Sequence, residues 1–174
     1  MTRPTVPPTG IERTWPETEL IVSKTDTKGI ITYANRVFCD VAQYAEDELL
    51  GQNHNVIRHP EMPRCVFKLL WDTIEAGEEI FAYVVNQAKS GDHYWVFAHI
   101  TPTFDCDMNI VGYHSSRRVP RREAVDAASG LYRQLLAIEA GHAGPKEGML
   151  AAEAALMDIL KSKNLAYDEF VLSL

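Results

Sequence analysis

The sequence predicts an α+β domain in which one five-stranded antiparallel sheet carries helices on a single face, followed by a C-terminal helical extension. Three observations carry this. Two β-branched runs flank the turn DTKG at Asp26–Gly29. Three further β-rich runs, Ile80–Gln87, His93–Thr103 and Ile110–Arg117, are separated by the turns KSGD and DCDMN. Between the two groups lies a block of helical patterns, so the order is two strands, helices, then three strands. A crossover of that kind packs its helices over the sheet and leaves a pocket between the layers.

Residues 1–19, punctuated by Pro4, Pro7, Pro8 and Pro16, read as an arm or cap rather than a strand. The stretch ELIVSKTDTKGIITYAN, Glu19 to Asn35, is the hairpin, and Asn35 ends it. An asparagine there is suited to cap the following helix by accepting from its first-turn N–H groups. RVFCDVAQYAEDELLG keeps apolar residues at helical spacing until Gly51, part of a block of several short helices. RCVFKLLWDTIEAG is a second amphipathic helix, stopped at Gly77. These elements place the domain proper at residues 20–120. Residues 121–174 are Ala-rich, with apolar positions at Leu131, Leu135, Leu136, Leu156 and Leu160. The breaker GHAGP makes them a helical hairpin, with a last short helix near YDEFVLSL. Such a stripe fits a shielding cap, a homodimer face or a docking surface equally.

With 24 acidic and 17 basic residues, the formal charge is −7, which argues against a nucleic-acid partner. The one basic cluster, RRVPRR at Arg117–Arg122, reads as a solvated hinge. No run of about 18 apolar residues is present and the first residues lack a signal-peptide core, which predicts a cytoplasmic protein without membrane insertion. Cys39, Cys65 and Cys106 have no CxxC spacing and read as buried small hydrophobes. His93, His99, His114 and His142 show no HxxxH pairing, so a metal site is not indicated.

The densest chemistry lies in GQNHNVIRHPEMPRCVF, Gly51 to Phe67, which holds two histidines, two arginines and two prolines. Together with ITYAN, LW at Leu70–Trp71, VVN at Val84–Asn86 and GDHYWV from Gly91, it resembles the flavin-binding PAS domain of bacterial aerotaxis receptors. The resemblance covers about residues 15–120 and brings the PAS fold with it. It also departs from the family in one place: Glu61 stands where the family has Asp.

The resemblance implies FAD. Arg58 would hold phosphate in a fixed guanidinium fork, with His59 as a second donor and Glu61 beside them. Trp71 would pack on the flavin, Asn86 would hydrogen-bond its polar edge, and His54 would stand near the reactive N5 as a titratable group. Asn35, mainly a cap, and His114, on the last strand, are further cofactor-binding candidates. Blue-light LOV domains carry a cysteine in GxNCRF; GQNHNV has His54 there, so cysteinyl photochemistry is not expected. The implied role is a non-enzymatic redox or oxygen sensor that reports to a chemoreceptor or histidine kinase. Flanking helices of PAS domains favour a homodimer. The alternatives are a haem-binding PAS gas sensor, with a histidine as axial ligand, and a cofactor-free dimerisation or docking module.

Overall fold

The computed structural model describes residues 4–174, so the first three residues of the expected arm lie outside the described part. The strands are β1 (Ile21–Thr25), β2 (Ile31–Ala34), β3 (Ile80–Gln87), β4 (His93–Phe104) and β5 (Ile110–Arg118). They form one sheet in the order β2-β1-β5-β4-β3, and all four neighbouring pairs are antiparallel. The first helices are α1 (Arg36–Ala42), α2 (Glu46–Leu49) and α3 (Arg64–Glu75), with a 3₁₀ turn at His54–Ile57. The helical extension contains α4 (Arg122–Ala140), α5 (Pro145–Lys163) and α6 (Tyr167–Leu172).

The hairpin turn is held by Asp26, whose Oδ1 accepts from Lys28 N at 2.8 Å and Ile30 N at 2.9 Å. Gly29 follows at φ +76°, and a Cβ there would lie 3.1 Å from the Trp71 ring. This position therefore needs glycine both for its left-handed backbone and for the close approach of the indole. Asn35 is a cap: its Oδ1 accepts from Phe38 N at 3.0 Å and Val22 N at 2.9 Å, and its Nδ2 donates to Leu20 O at 2.8 Å.

The helical stretch expected from Arg36 to Gly51 is two short helices. Gln43 takes a left-handed conformation, φ 61°, and ends α1. Tertiary contacts hold the break in place: Ala42 O accepts from Lys89 N at 2.9 Å, and Gln43 Oε1 accepts from Ser90 N at 3.2 Å. The arm also docks on the β3–β4 turn, with Thr9 N donating to Gly91 O at 2.9 Å and His93 N to Ile11 O at 2.9 Å.

The extension folds back onto the domain. Leu135, Leu156 and Leu160 are buried, Tyr132 stacks on Trp95 with centroids 6.0 Å apart, and its hydroxyl donates to Tyr83 O on β3. Helices α4 and α5 meet at Gly148, where a Cβ would collide with the Glu139 carbonyl. Cys65 N donates to Glu139 Oε1 at 3.0 Å, and Lys68 pairs with Glu153 at 2.9 Å, which ties both helices to α3. The apolar stripe expected to form a homodimer face is thus consumed within the chain, because it matches the exposed apolar side of β3 and β4.

RRVPRR is solvated at Arg118, Arg121 and Arg122 but not at its first residue. Arg117 is buried, Arg121 donates to Leu174 O at 2.6 Å and Arg122 pairs with Glu12 at 2.5 Å. Of the three cysteines only Cys65 is fully buried, and Cys106 is exposed in the β4–β5 turn. No helix of the described residues is long and apolar enough to cross a membrane.

Candidate functional site

Strand alternation decides which residues reach the space between sheet and helices. Ser23 on β1, Val84 and Asn86 on β3, Val96 and Ala98 on β4, and Tyr113, Ser115 and Arg117 on β5 all point to the α3 side. There they line a cavity with about 780 Å³ of empty space, its open mouth counted. Leu70, Trp71 and Ile74 of α3 form the opposite wall, and Asn53, His54, Asn55 and Arg58 form the rim. The rim is stitched to the hairpin by His54 N donating to Gly29 O at 2.9 Å and Ile31 N to Gln52 O at 2.8 Å.

Trp71 meets Tyr113 edge to face, with centroids 5.5 Å apart and planes at 85°, which fixes the indole as a wall of the cavity. Asn86 is buried, its backbone bridges to Arg58, and it lines the cavity. Its amide carries two N–H donors and a carbonyl. The Arg58 guanidinium lies 4.3 Å above the Phe67 ring.

His54 stacks on Phe38 with centroids 5.8 Å apart. Its Nε2 is 2.8 Å from Arg117 Nη2 and 3.2 Å from Ser23 Oγ. Arginine only donates, so Nε2 accepts and the proton sits on Nδ1. Burial first and the Arg117 charge second push the imidazole down to about 3, so it is neutral near pH 7. The titratable partner expected at this position is thus locked in one protonation state.

A second cavity lies between the arm, the loop at residues 58–64 and α4, and Arg58 lines both cavities. His59 is in the second one. Its Nδ1 accepts from Glu61 N at 3.2 Å, which leaves Nε2 as the donor, buried and without a partner among the described residues. Burial lowers the His59 basicity.

The structure brings His54, Arg58, Trp71 and Asn86 together at the first cavity and puts His59 next door. Three expected residues are elsewhere. Glu61 is exposed and lines neither cavity, Asn35 spends its amide on the α1 cap, and His114 faces the opposite side of the sheet. His114 is one residue out of phase with Tyr113, Ser115 and Arg117, and parity alone turns it away. The residues missed by sequence reasoning are Arg117, Ser23 and Ser115. Counting by twos from Tyr113 finds two of them, but YHSSRR has no apolar alternation to anchor the count. Among the described residues no group of three His, Cys, Asp or Glu side chains is placed to hold a metal.

Comparison with known proteins agrees with this architecture. The sequence profile described as the PAS fold matches residues 31–117. The chain is 41% identical over 115 residues to the aerotaxis receptor of Escherichia coli (strain K12), covering 66% of this chain and 22% of that protein. It is 29% identical over 102 residues to the nitrogen fixation regulatory protein of Klebsiella pneumoniae, covering 59% of this chain and 21% of that protein. The chain therefore spans about a fifth of the length of these relatives. Among solved structures, the dark state of the blue-light photoreceptor Aureochrome1 LOV superposes with a TM-score of 0.57 at 24% identity, covering 63% of this chain and 82% of that one.

Proposed function

The chain belongs to the PAS-fold family, and from that premise we propose that it is a cytoplasmic flavin-binding redox or oxygen sensor reporting to a separate signalling protein. The observation that carries this reading is the first cavity. It is apolar along Val84, Val96, Ala98, Leu70 and Ile74, walled by Trp71, and edged by the Asn86 amide. A flavin ring has apolar faces and carbonyl and N–H groups along one edge, so its needs match that wall and that amide. Similarity to an aerotaxis receptor supports the same ligand class.

When bound, the flavin supplies reversible electron uptake, and the chain supplies binding, orientation and shielding. Trp71 covers a ring face, Asn86 sets the ring's edge, and Arg58 stands where a phosphate leaves the cavity. The second cavity begins at Arg58 and offers the His59 Nε2–H to a further acceptor. That continuation favours FAD, which has a diphosphate tail, over FMN.

The relay begins at Asn86. Its amide can turn to present either carbonyl or N–H₂. On the same strand, three residues away, Tyr83 O accepts the Tyr132 hydroxyl of α4, so β3 links the cavity directly to the helical layer. The chain acts by binding and relay rather than turnover, and its partner is a chemoreceptor or histidine kinase. A haem reading is weaker. His54 is the one histidine among the described residues lining the first cavity, and Arg117 and Ser23 already engage its Nε2.

The test is the visible spectrum of freshly purified full-length protein, followed by release and chromatography of the chromophore. A flavin band and released FAD are expected. FMN alone overturns the tail assignment; a Soret band, or a colourless protein that flavin does not reconstitute, overturns the reading. Arg58→Ala should keep the fold and weaken flavin binding by about 1.5–3 kcal/mol, the usual worth of a charge-assisted contact.

A further inference from the structure

Two buried polar groups of opposite hydrogen-bonding sense line the second cavity. His59 is 3% exposed, and its Nε2–H has no acceptor among the described residues. Glu139, 8% exposed, stands in the last turn of α4. Its Oε1 accepts from Cys65 N at 3.0 Å, and a carboxylate has lone pairs for further donors. Arg58 and Arg64 share the lining, while Met62, Leu136 and Val6 give it apolar walls. Gln87 holds the arm against this cavity by donating to Val6 O at 2.6 Å. The arm and α4 lie outside residues 31–117, so the cavity is one that the flanks add to the PAS fold.

A helix cap explains the bond to Cys65 N, but it does not explain a partnerless imidazole N–H on the same lining. Both groups gave up water on folding, and each needs its own kind of partner. An anion would satisfy His59 and be repelled by Glu139. A cation would satisfy Glu139 and be repelled by Arg58 and Arg64, leaving His59 unpaired. A neutral planar group with an acceptor and an N–H donor on one edge serves both, and its faces suit apolar walls. Adenine has such an edge, where a ring nitrogen accepts beside an amine that donates.

We propose that the second cavity is a nucleobase site completed by the helical extension, in which Glu139 accepts from the amine of adenine and His59 donates to a ring nitrogen. The inference rests on the flavin reading for its natural ligand, the adenine end of FAD, while the base preference itself is a property of the chain. Arg58, which lines both cavities, stands where the phosphates between ring and base would pass. FMN has no base and leaves both groups unpaired, so α4, and not the PAS domain alone, selects between the two flavins.

The experiment titrates full-length wild type and Glu139→Gln with FAD and with flavin hypoxanthine dinucleotide, reading affinity from the change in flavin fluorescence. Hypoxanthine carries a carbonyl oxygen in place of the amine, and that oxygen would face the carboxylate. Wild type should prefer FAD at least tenfold, because a site built to accept from an N–H is left unpaired by an analogue that lacks it. Glu139→Gln keeps an oxygen for Cys65 N and offers an N–H₂ to the carbonyl, so its preference should vanish or reverse, an outcome that loss of packing does not produce. Circular dichroism checks its fold. Equal affinity of wild type for the two dinucleotides, or the same preference in both proteins, overturns the inference. If wild type takes up no flavin, the functional reading fails on its own, and the base site is read by calorimetry with adenosine monophosphate against purine riboside monophosphate, which lacks the amine. Wild type should prefer the adenosine compound at least tenfold; no preference overturns the inference, and this arm does not depend on any variant folding.

Discussion

The two layers that sandwich β3 and β4 treat polar groups in opposite ways. Against the helical extension, buried polar groups meet partners: the Tyr132 hydroxyl donates to Tyr83 O, and Glu139 accepts from Cys65 N at 3.0 Å. Away from these contacts, the enclosed side-chain atoms left without partners among the described residues are His59 Nε2 and Arg117 Nη1, whose residues line the cavities, and Tyr94 Oη, which lines neither. Native interiors pair nearly all such groups, so each of these three exceptions marks a place shaped by something other than stability. The contrast teaches where to expect each kind of mutational response. The saturated layer should lose stability when touched, and the unsaturated one should lose binding.

The largest expected effect tests the saturated layer. Leu135 is fully buried in α4, and Leu135→Ala removes its contacts and leaves a void. It should destabilise the chain by about 2–5 kcal/mol in urea unfolding, with flavin content per folded molecule unchanged. An unchanged urea midpoint would mean that the extension is a loose appendage, and the comparison would break there.

Tyr132→Phe comes next. The ring and its stacking on Trp95 remain, but the Tyr83 carbonyl loses its donor in a buried position. A loss of about 1–3 kcal/mol is expected. Because this hydrogen bond joins β3 to α4, the same variant should also blunt any redox-dependent change in proteolysis of the extension.

A third test uses pH on the cavity side. His54 stays neutral in the folded chain down to about 3, whereas in the unfolded chain it takes up a proton near the ordinary histidine value of about 6.5. Below that value the unfolded state binds more protons, so stability should be level above about pH 6.5 and fall as pH drops towards 3. The slope for one such group is at most about 1.4 kcal/mol per pH unit. His59 and His114 are shifted in the same direction, so the measurement is the difference between wild type and His54→Gln, which keeps an acceptor for Arg117. Parallel curves for the two proteins would show that His54 titrates normally.

Much of this was legible in the sequence, and the parts that were not share a physical cause. The hairpin around Asp26–Gly29, the span of β3 and the stop at Gly77 follow from local patterns, and the structure has them where the patterns put them. The break at Gln43 was hidden because its cause is the β3–β4 turn, distant in sequence and tied to α1 through Ala42 and Gln43. At the site, Trp71 and Asn86 could be placed by likeness to a family, but Arg117 was concealed inside RRVPRR. A run of arginines looks solvated, and only the register of β5 against β1, with Ile21 opposite Arg117, shows which one turns inward. The same register sends His114 outward. Partition between faces depends on strand pairing, and the sequence carries pairing only where apolar alternation marks it.

The smallest expected effect is the sharpest test of the contrast, because it makes the same chemical change as Tyr132→Phe on the other side. Tyr94 is completely buried and stands edge-on to Trp15, with ring centroids 6.2 Å apart at 88°. Its hydroxyl has no partner among the described residues, and burial raises its pKa, so it remains a protonated phenol. Tyr94→Phe keeps the ring, the edge contact and the apolar area, and removes only a polar atom that gave up its hydration on folding without a replacement. Deleting an unpaired buried hydroxyl recovers that desolvation penalty, so the change should lie within about 0.5 kcal/mol of zero or be stabilising. The decisive quantity is the difference between the two Tyr→Phe variants in parallel urea titrations, expected to exceed about 1 kcal/mol with Tyr132→Phe the less stable. Equal losses would mean that the Tyr94 hydroxyl is satisfied as well as that of Tyr132, and the distinction between a saturated layer and a reserved one would have to rest on Arg117 and His59 alone.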